Sequence, residues 1–311
     1  MTKISIGVCA YNEQQNIGYL LNNLLTEQNL REDSEILVVC SGCTDSTPQV
    51  VKRFAEKDKR IRLIIEEERV GKSSAINKIL KNHKGEYVFL IPADVIPAKE
   101  TLSFMIKKIS EDSRIGVLGG SPVPINTEDG FSGYMSHLMW RIHNRTLKYL
   151  DDLNLGNHAS GEFMVLRHGV VEKIPIDVVN DDAYIAVEAS MNGNKVKYCD
   201  EAKVYIKAPT NIPDYIRQRR RVIYGHFRVK QYTKDYPKTV ENLMLKDPAK
   251  SFNVLKEEIK ERPRDTIKLS VVIFIEALVN TLAIIDLASK KNHTVWAVSK
   301  STKKIEEGYP T

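Results

Sequence analysis

Cysteine is scarce in this sequence. Four cysteines in a chain of 311 residues cannot form a disulfide framework, so the thiols are expected to be reduced and the protein cytoplasmic. Tryptophan is scarcer, with two residues. No aromatic-rich basic tract of the kind that stacks bases accompanies the arginines, which argues against nucleic-acid binding. Charge of one sign hardly dominates. There are 46 Lys and Arg against 40 Asp and Glu, a net +6, which permits an anionic ligand or membrane surface without demanding one. The opening MTKISIGVCAYNE lacks a signal-peptide core, because Asn12 and Glu13 end its short apolar run. No repeat or low-complexity tract suggests a solenoid or a disordered chain.

What is present is an alternation of strand and helix patterns. KISIGVCA (3–10) is β-branched and alternating, which predicts a strand. Residues 15–28 carry Ile17, Leu20, Leu21, Leu24 and Leu25 at helical spacing. EILVVC (35–40) is continuously apolar, as in a strand buried on both faces. TPQVVKRFAEK reads as a helix with Pro48 in its first turn. RIRLIIEE (60–67) and YVFLI (87–91) read as further strands, with the helix KSSAINKILKN between them. Such alternation over residues 1–110 predicts an α/β sandwich with a mostly parallel sheet flanked by helices. Ligands of such sheets bind beyond the carboxyl ends of the strands. Those ends here read CAYNE, CSGCTD, EEERVGK and IPAD.

Each of these motifs has a bland reading beside a functional one. Cys40 and Cys43 form a C-x-x-C, which is either a thioredoxin-like redox pair or a structural turn. A zinc site would need a second ligand pair, and only the isolated Cys9 and Cys199 remain. RVGKSS fails as a phosphate-cradling P-loop, because Glu66 stands where its first glycine belongs. Lys72 remains either a phosphate ligand or a solvated helix-start lysine. Asp181 and Asp182 open a helical segment, where the macrodipole alone favours acids. Gln218, Arg219, Arg220 and Arg221 form either a solvated face or a set of forks for diphosphate or carboxylate.

The order of these stretches along the chain resembles a family 2 glycosyltransferase with the GT-A fold. VCAYNEQQNIGYLLNNL is similar to that family's opening strand, Y-N-E and first helix. EILVVCSGCTDST resembles its second strand and T-D-x-T turn, and RVGKSSAINKIL its G-K-x-x-A-x-N helix. GEYVFLIPADVIP falls at the D-x-D, NDD (180–182) at the T-E-D-like acidic cluster, and QRRRV (218–222) at the Q-x-x-R-W of the cellulose- and hyaluronan-synthase-like branch. The likeness covers residues 3 to about 228.

The resemblance implies an inverting enzyme that moves a sugar from a nucleotide-sugar to a hydroxyl or lipid-phosphate acceptor. Asp94 matches the second acid of the D-x-D, the ligand of a divalent Mg²⁺ or Mn²⁺; Pro92 replaces the first acid. Asp182, the last acid of its cluster, takes the role of catalytic base. Tyr11, Asn12, Glu13, Ser41 and Lys72 fall where the nucleotide-sugar lies. Asp181, Gly161 beside Ser160, Gln218, Arg219 and Arg221 fall at the diphosphate and acceptor. Cys40 and Ser41 stand where many members have an acidic pair that meets the base, and Val222 replaces the tryptophan associated with a processive polymer channel. Two other readings remain beside this one: a non-catalytic member that binds nucleotide-sugar or a partner enzyme, and the thioredoxin-like oxidoreductase.

The resemblance divides the chain into a GT-A domain, 1–230, and a helical C-terminal extension, 231–311. Within the domain, 1–100 forms the nucleotide-sugar half and 101–230 the acceptor half. The extension contains LSVVIFIEALVNTLAIIDLA (269–288), a run of membrane-spanning length interrupted by Glu276, Asn280 and Asp286. Basic flanks and Trp296 suit an anionic leaflet. The run is therefore expected to lie on the cytoplasmic face of a membrane, or to pack on the domain or on a second copy of the chain. The expected partners are a nucleotide-sugar, a glycan or lipid-linked acceptor, and a membrane surface.

Overall fold

The computed structural model describes residues 3–289, 291 and 293; Trp296 and the basic stretch around it lie outside the described residues. The first half follows the alternation in the sequence: β1 (Ile4–Ala10), α1 (Ile17–Thr26), β2 (Glu35–Ser41), α2 (Thr47–Lys57), β3 (Ile61–Glu66), α3 (Lys72–Asn82) and β4 (Tyr87–Pro92). These strands pair in parallel in the order β3-β2-β1-β4. Strand β2 shows why its sequence carries no polar alternation. Ile36, Val38 and Cys40 pack on one side with Leu20, Leu21 and Leu24 of α1. Leu37 and Val39 pack on the other with Ile76 and Ile79 of α3. Side chains alternate faces along a strand, so a sheet with a helix layer on each side needs both sets apolar. Each fully buried aliphatic side chain is worth about 1.5–3 kcal/mol.

The second half is mixed. It contains β5 (Val95–Pro97), α4 (Thr101–Ser110), β6 (Ile115–Pro124), α5 (Gly130–Asp152), β7 (Met164–Arg167), α6 (Asp181–Met191) and β8 (Lys195–Ile206). Strand β7 inserts antiparallel between β4 and β6, β8 runs parallel to β6, and β5 closes the edge antiparallel to β8. The eight strands thus form one sheet, β3-β2-β1-β4-β7-β6-β8-β5, and the parallel character expected from the sequence belongs to its first four strands.

Among the described residues four helices follow: α7 (Ile212–Thr233), α8 (Val240–Lys246), α9 (Pro248–Glu261) and α10 (Thr266–Ala288), the last entered through a 3₁₀ turn at Pro263–Asp265. Position 230, where the sequence places a boundary, falls inside α7. The helices beyond it pack on the α/β part. Val254, Leu269 and Val272 join Tyr134, Met135, Leu138 and Ile142 of α5, and Val279 and Ala283 join Ile223 and Tyr224 of α7. Acidic side chains of the tail turn inward. Glu258 meets Arg141 and Arg145, Glu276 meets Arg219, and Asp286 meets Arg220.

Candidate active site

The strand ends converge on a cavity of about 1160 Å³ that runs from the end of β1 past the start of α6 to α10. At one end of the cavity the chain turns out of β1 through Tyr11, Asn12 and Glu13. Tyr11 lines the cavity with the Arg69 guanidinium 3.8 Å above its ring. Asn12 lies behind the wall in the left-handed region, at φ 52°, which asparagine tolerates better than most residues. Its amide nitrogen donates to Thr44 Oγ1 at 3.0 Å, and its oxygen accepts from the Thr44 N–H at 2.8 Å, which staples the first loop to the second. Glu13 is buried and accepts from Asn16 Nδ2 at 2.7 Å. Ser41, at the end of β2, donates to the buried Glu66 at the end of β3. Ser74 also donates to Glu66. Glu66 thus places an acid behind Ser41, where the family's acidic pair is missing. Gly42 follows at φ 58°, and a β-carbon there would lie 2.5 Å from the Arg69 nitrogen; only glycine permits this turn.

The C-x-x-C belongs to the same loop and not to the cavity wall. Cys40 is buried in β2, and Cys43 Sγ lies 3.5 Å from the Ala10 carbonyl oxygen. Neither cysteine lines the cavity; Cys43 is half-buried, and its hydrogen bond with Cys40 holds its thiol down to about 7.

The centre of the cavity is a charge cluster. Lys72, the first residue of α3, pairs with Asp181 at 3.0 Å and donates to the Gly161 carbonyl at 3.4 Å. Burial opposes its charge, but Asp181 and Asp182 outweigh burial and hold the lysine above its usual value. The Gly161 N–H donates to Asp182 Oδ2 at 2.8 Å, and the Ala183 N–H donates to Oδ1 at 2.8 Å. A β-carbon on Gly161 would stand 2.9 Å from Asp182 Oδ2, so this glycine lets the backbone reach the carboxylate. Burial raises the Asp182 carboxyl, but His158, Lys72 and the Ala183 N–H together hold it below the usual carboxylate range. Its neighbour Asp181 is pushed up by burial. The two adjacent acids therefore differ: Asp181 is a structural partner of Lys72, and Asp182 is held ionised at the cavity.

Two further acids face this space. Burial raises Asp94, and burial together with Asp94 pushes Glu162 up to about 7. Neither forms a salt bridge among the described residues, and both line the cavity beside Pro92. Glu162 was not among the residues singled out from the sequence, although it directly follows Gly161 in ASGEF. Among the described residues no three acids, histidines or cysteines converge as a self-sufficient metal site. A two-carboxylate set is what a hard cation uses when substrate phosphates and water complete its shell, so Asp94 and Glu162 fit such an ion.

The QRRR tract divides. Arg221 lies near Glu162, Asp181 and Asp182, and burial pushes it down to about 10. Gln218 also lines the cavity. Arg219 corrects the sequence-based expectation. It is buried with its guanidinium against Glu276 at 3.0 Å and against Glu241, so its fork is occupied by α10 and α8 rather than held out for a diphosphate. Arg220 likewise meets Asp286 at 2.5 Å. The Asn180 side chain donates to the Val222 carbonyl at 2.8 Å and thereby fixes the NDD turn to α7.

Behind Asp182 stands a row of rings that the sequence did not suggest. His158 and His226 are 5.5 Å apart, His143 and His158 are 5.7 Å apart, and Trp140 abuts His143 at 5.3 Å. Burial pushes His143 and His226 down to about 3. A histidine depressed below its unfolded value is neutral in the folded state. The unfolded chain therefore takes up more protons between about pH 6.5 and 3, and stability falls as pH falls through that window. Glu241, held down to about 2 mainly by Arg219 against the cost of its own burial, adds to the loss below its unfolded value. We expect the melting temperature to drop between pH 7 and pH 5, and His226→Phe to flatten that slope. Equal slopes in the two proteins would remove His226 from the account.

Comparisons with known proteins bear on the family and the fold. The model of glycosyl transferase family 2 matches residues 5–175, and that of glycosyl transferase family group 2 matches residues 137–280. Poly-beta-1,6-N-acetyl-D-glucosamine synthase of Staphylococcus aureus is 24% identical over 230 residues, covering 73% of this chain and 55% of that protein. The enzyme of the same name from Staphylococcus epidermidis is 22% identical over 246 residues, covering 78% and 58%. The chain thus spans about half the length of these curated relatives. Among solved structures, the mannosyltransferase PcManGT from Pyrobaculum calidifontis, in complex with GDP-Man and Mn²⁺, aligns with a TM-score of 0.59 at 21% identity, covering 96% of this chain and 76% of that one. S. aureus TarS 1–349 aligns with a TM-score of 0.53 at 16% identity, covering 100% and 98%. At these identities the structural likeness speaks for the fold, which is GT-A. The family match spans more than half of the sequence: this chain belongs to glycosyl transferase family 2.

Proposed function

We propose that this glycosyltransferase inverts the anomeric centre of a nucleotide-sugar, moving the sugar to a hydroxyl of a glycan or lipid-linked acceptor with Asp182 as the base. The observation that carries the reading is the state of Asp182. Two backbone N–H groups at 2.8 Å orient its carboxylate at the cavity, and nearby His158 and Lys72 favour its ionised form. A base must be ionised and oriented before the acceptor arrives, and it contributes about 10²–10⁴ in rate.

Tyr11, Glu13, Ser41 and Arg69 would enclose the nucleotide at the ends of β1 and β2, where such sheets take their ligands. Asp94 and Glu162 would hold Mg²⁺ or Mn²⁺. When bound, that ion neutralises charge on the departing diphosphate. Arg221 and Gln218 would face the same group from α7, where the arginine fork suits phosphate oxygens. Asp181 keeps Lys72 in place, and Gly161 leaves room for the acceptor beside Asp182. The structure of PcManGT with GDP-Man and Mn²⁺ supports the donor class and the cation.

The outer face of α10 supports a location on the cytoplasmic face of a membrane. The stretch Pro263–Ala288 is long and apolar enough to cross a bilayer by length and composition. The two acids within α10, Glu276 and Asp286, nevertheless face α7, an arrangement suited to a helix lying on the surface.

Release of free sugar from a panel of nucleotide-sugars, with and without Mn²⁺, tests the function. Hydrolysis of one donor, dependent on the cation, is the expected result. Nucleotide binding with no hydrolysis of any donor would favour the binding-only alternative.

A further inference from the structure

Glycosyl transfer leaves the C-x-x-C unused. Cys40 lies in β2 and packs into the core with Ile36 and Val38. Cys43 is half-buried in the turn that follows, hydrogen-bonded to Cys40 and 3.5 Å from the Ala10 carbonyl oxygen. No other cysteine competes for either thiol. Cys9 is on the neighbouring strand but packs on the opposite face of the sheet, because side chains alternate faces. Cys199 lies on β8, with β1, β4, β7 and β6 between it and β2. The two thiols also differ in reactivity. The contact with Cys40 holds the Cys43 thiol down to about 7, and the Asn12 backbone and Thr47 also favour its thiolate. The same contact and burial hold the Cys40 thiol up. A low, partly exposed thiol beside a high, buried one is the arrangement of an attacking and a resolving cysteine.

The turn between the two thiols is tied to the cavity. Ser41 lines it and donates to Glu66. The Gly42 N–H donates to the Glu66 carbonyl at 2.7 Å, and Gly42 packs so close to the Arg69 backbone that no side chain fits there. Thr44 is stapled to Asn12, the neighbour of Tyr11. Drawing the two sulfurs from hydrogen-bond contact into a covalent bond moves this turn and takes Cys43 away from Ala10. Ser41 shifts with it, and Arg69 and Tyr11 follow through Gly42 and Thr44. We infer that Cys40 and Cys43 form a thiol–disulfide modification site whose oxidation weakens the enzyme's hold on nucleotide. The inference rests on the glycosyltransfer reading only in taking the ends of β1 and β2 as the nucleotide's place. The oxidant is a peroxide. The Cys43 thiolate attacks one peroxide oxygen; an S–O bond forms, and the O–O bond breaks with its electron pair leaving on hydroxide, which takes up the proton Cys43 had shed. The Cys40 sulfur then attacks the Cys43 sulfur. The S–S bond forms, the S–O bond breaks, and the departing hydroxide takes up the Cys40 proton. The two thiols have lost two protons and two electrons, and hydrogen peroxide has become two waters. A dithiol reverses the step by exchange, so the reduced pair is the resting state in a reducing compartment.

Treatment of the full chain with hydrogen peroxide, then with dithiothreitol, tests this. Non-reducing peptide mapping should find Cys40 joined to Cys43, and dithiothreitol should restore both thiols. Hydrogen exchange should quicken at residues 41–44 and 66–69 in the oxidised protein. Calorimetry with UDP and GDP should show affinity falling about tenfold on oxidation, the scale of one lost hydrogen bond, and returning on reduction. Cys43→Ser should bind the nucleotide equally before and after peroxide; mapping of the unmodified protein stands independently of that variant. Three results would overturn the inference: Cys43 passing to sulfinic acid without joining Cys40, a disulfide that leaves exchange and affinity unchanged, or a peroxide response that persists in Cys43→Ser. Failure of the reduced protein to bind either nucleotide would count against the glycosyltransfer reading instead, and the linked peptide and the exchange of the turn would still decide the thiol site.

Discussion

Asp182→Asn will bind nucleotide-sugar as tightly as the unmodified enzyme and transfer sugar at least ~10² more slowly, the lower end of what a positioned base supplies. The substitution is nearly isosteric. The amide oxygen can still accept from the Gly161 or the Ala183 N–H, so the turn should hold its shape. Lys72 keeps its bond to Asp181, so the buried cation is not orphaned; orphaning a buried charge is what makes such changes costly to the fold. The amide cannot accept the hydroxyl proton at neutral pH. Initial rates with saturating donor, set against nucleotide affinity by calorimetry, separate the two effects. Turnover near normal would move the base elsewhere, with Asp181 the next candidate. Loss of donor affinity together with turnover would make Asp182 a positioning residue.

The second large effect is expected at Asp94. Asp94→Asn should abolish the part of nucleoside-diphosphate affinity that depends on Mn²⁺ and leave the cation-free part unchanged. Magnesium and manganese take carboxylate oxygen, and a site with only one or two protein ligands loses most of its hold when one of them becomes an amide. Here Pro92 leaves no acid at the first position of the motif, so on the proposed reading Asp94 would share the load with Glu162. We expect a loss of about 10–100-fold in the presence of Mn²⁺, the scale on which perturbing a metal's ligand environment acts. Glu162→Gln should reproduce the effect in the same direction. Calorimetry with and without Mn²⁺ reads both variants, and unchanged affinity in Asp94→Asn would refute the cation assignment.

The first half of the fold was legible in the sequence because its information is local. Each strand of the parallel set ends where its apolar run ends, and each motif sits in the loop that follows, so order along the chain maps onto order along one rim. The rest depends on contacts made across the chain. His158 lies after α5 and His226 within α7, and no spacing relates them. Glu162 becomes a cavity acid only because β7 inserts beside β4 and brings it opposite Asp94. The arginine tract shows a different limit. Successive residues on a helix point about 100° apart, so four consecutive polar residues cannot all share one target, although Gln218 and Arg221, three apart, lie on one side. Arg219 and Arg220 reach α10, and Arg221 reaches the acids. The sequence displays the charges, and the helical phase decides their partners.

The clasp between Arg219 and Glu276 also bears on how the enzyme is made. Glu276 is synthesised 57 residues after Arg219, once the whole sheet has left the ribosome. Until then α7 already holds Arg220 and Arg221, while the cavity has no roof and the residues that will pack under α10 are bare. An N-terminal part that folds during synthesis would assemble the donor rim early and leave the acceptor side unfinished. Closing the cavity would then coincide with the emergence of the apolar helix. The chamber would thus be completed by a helix made after every strand beneath it.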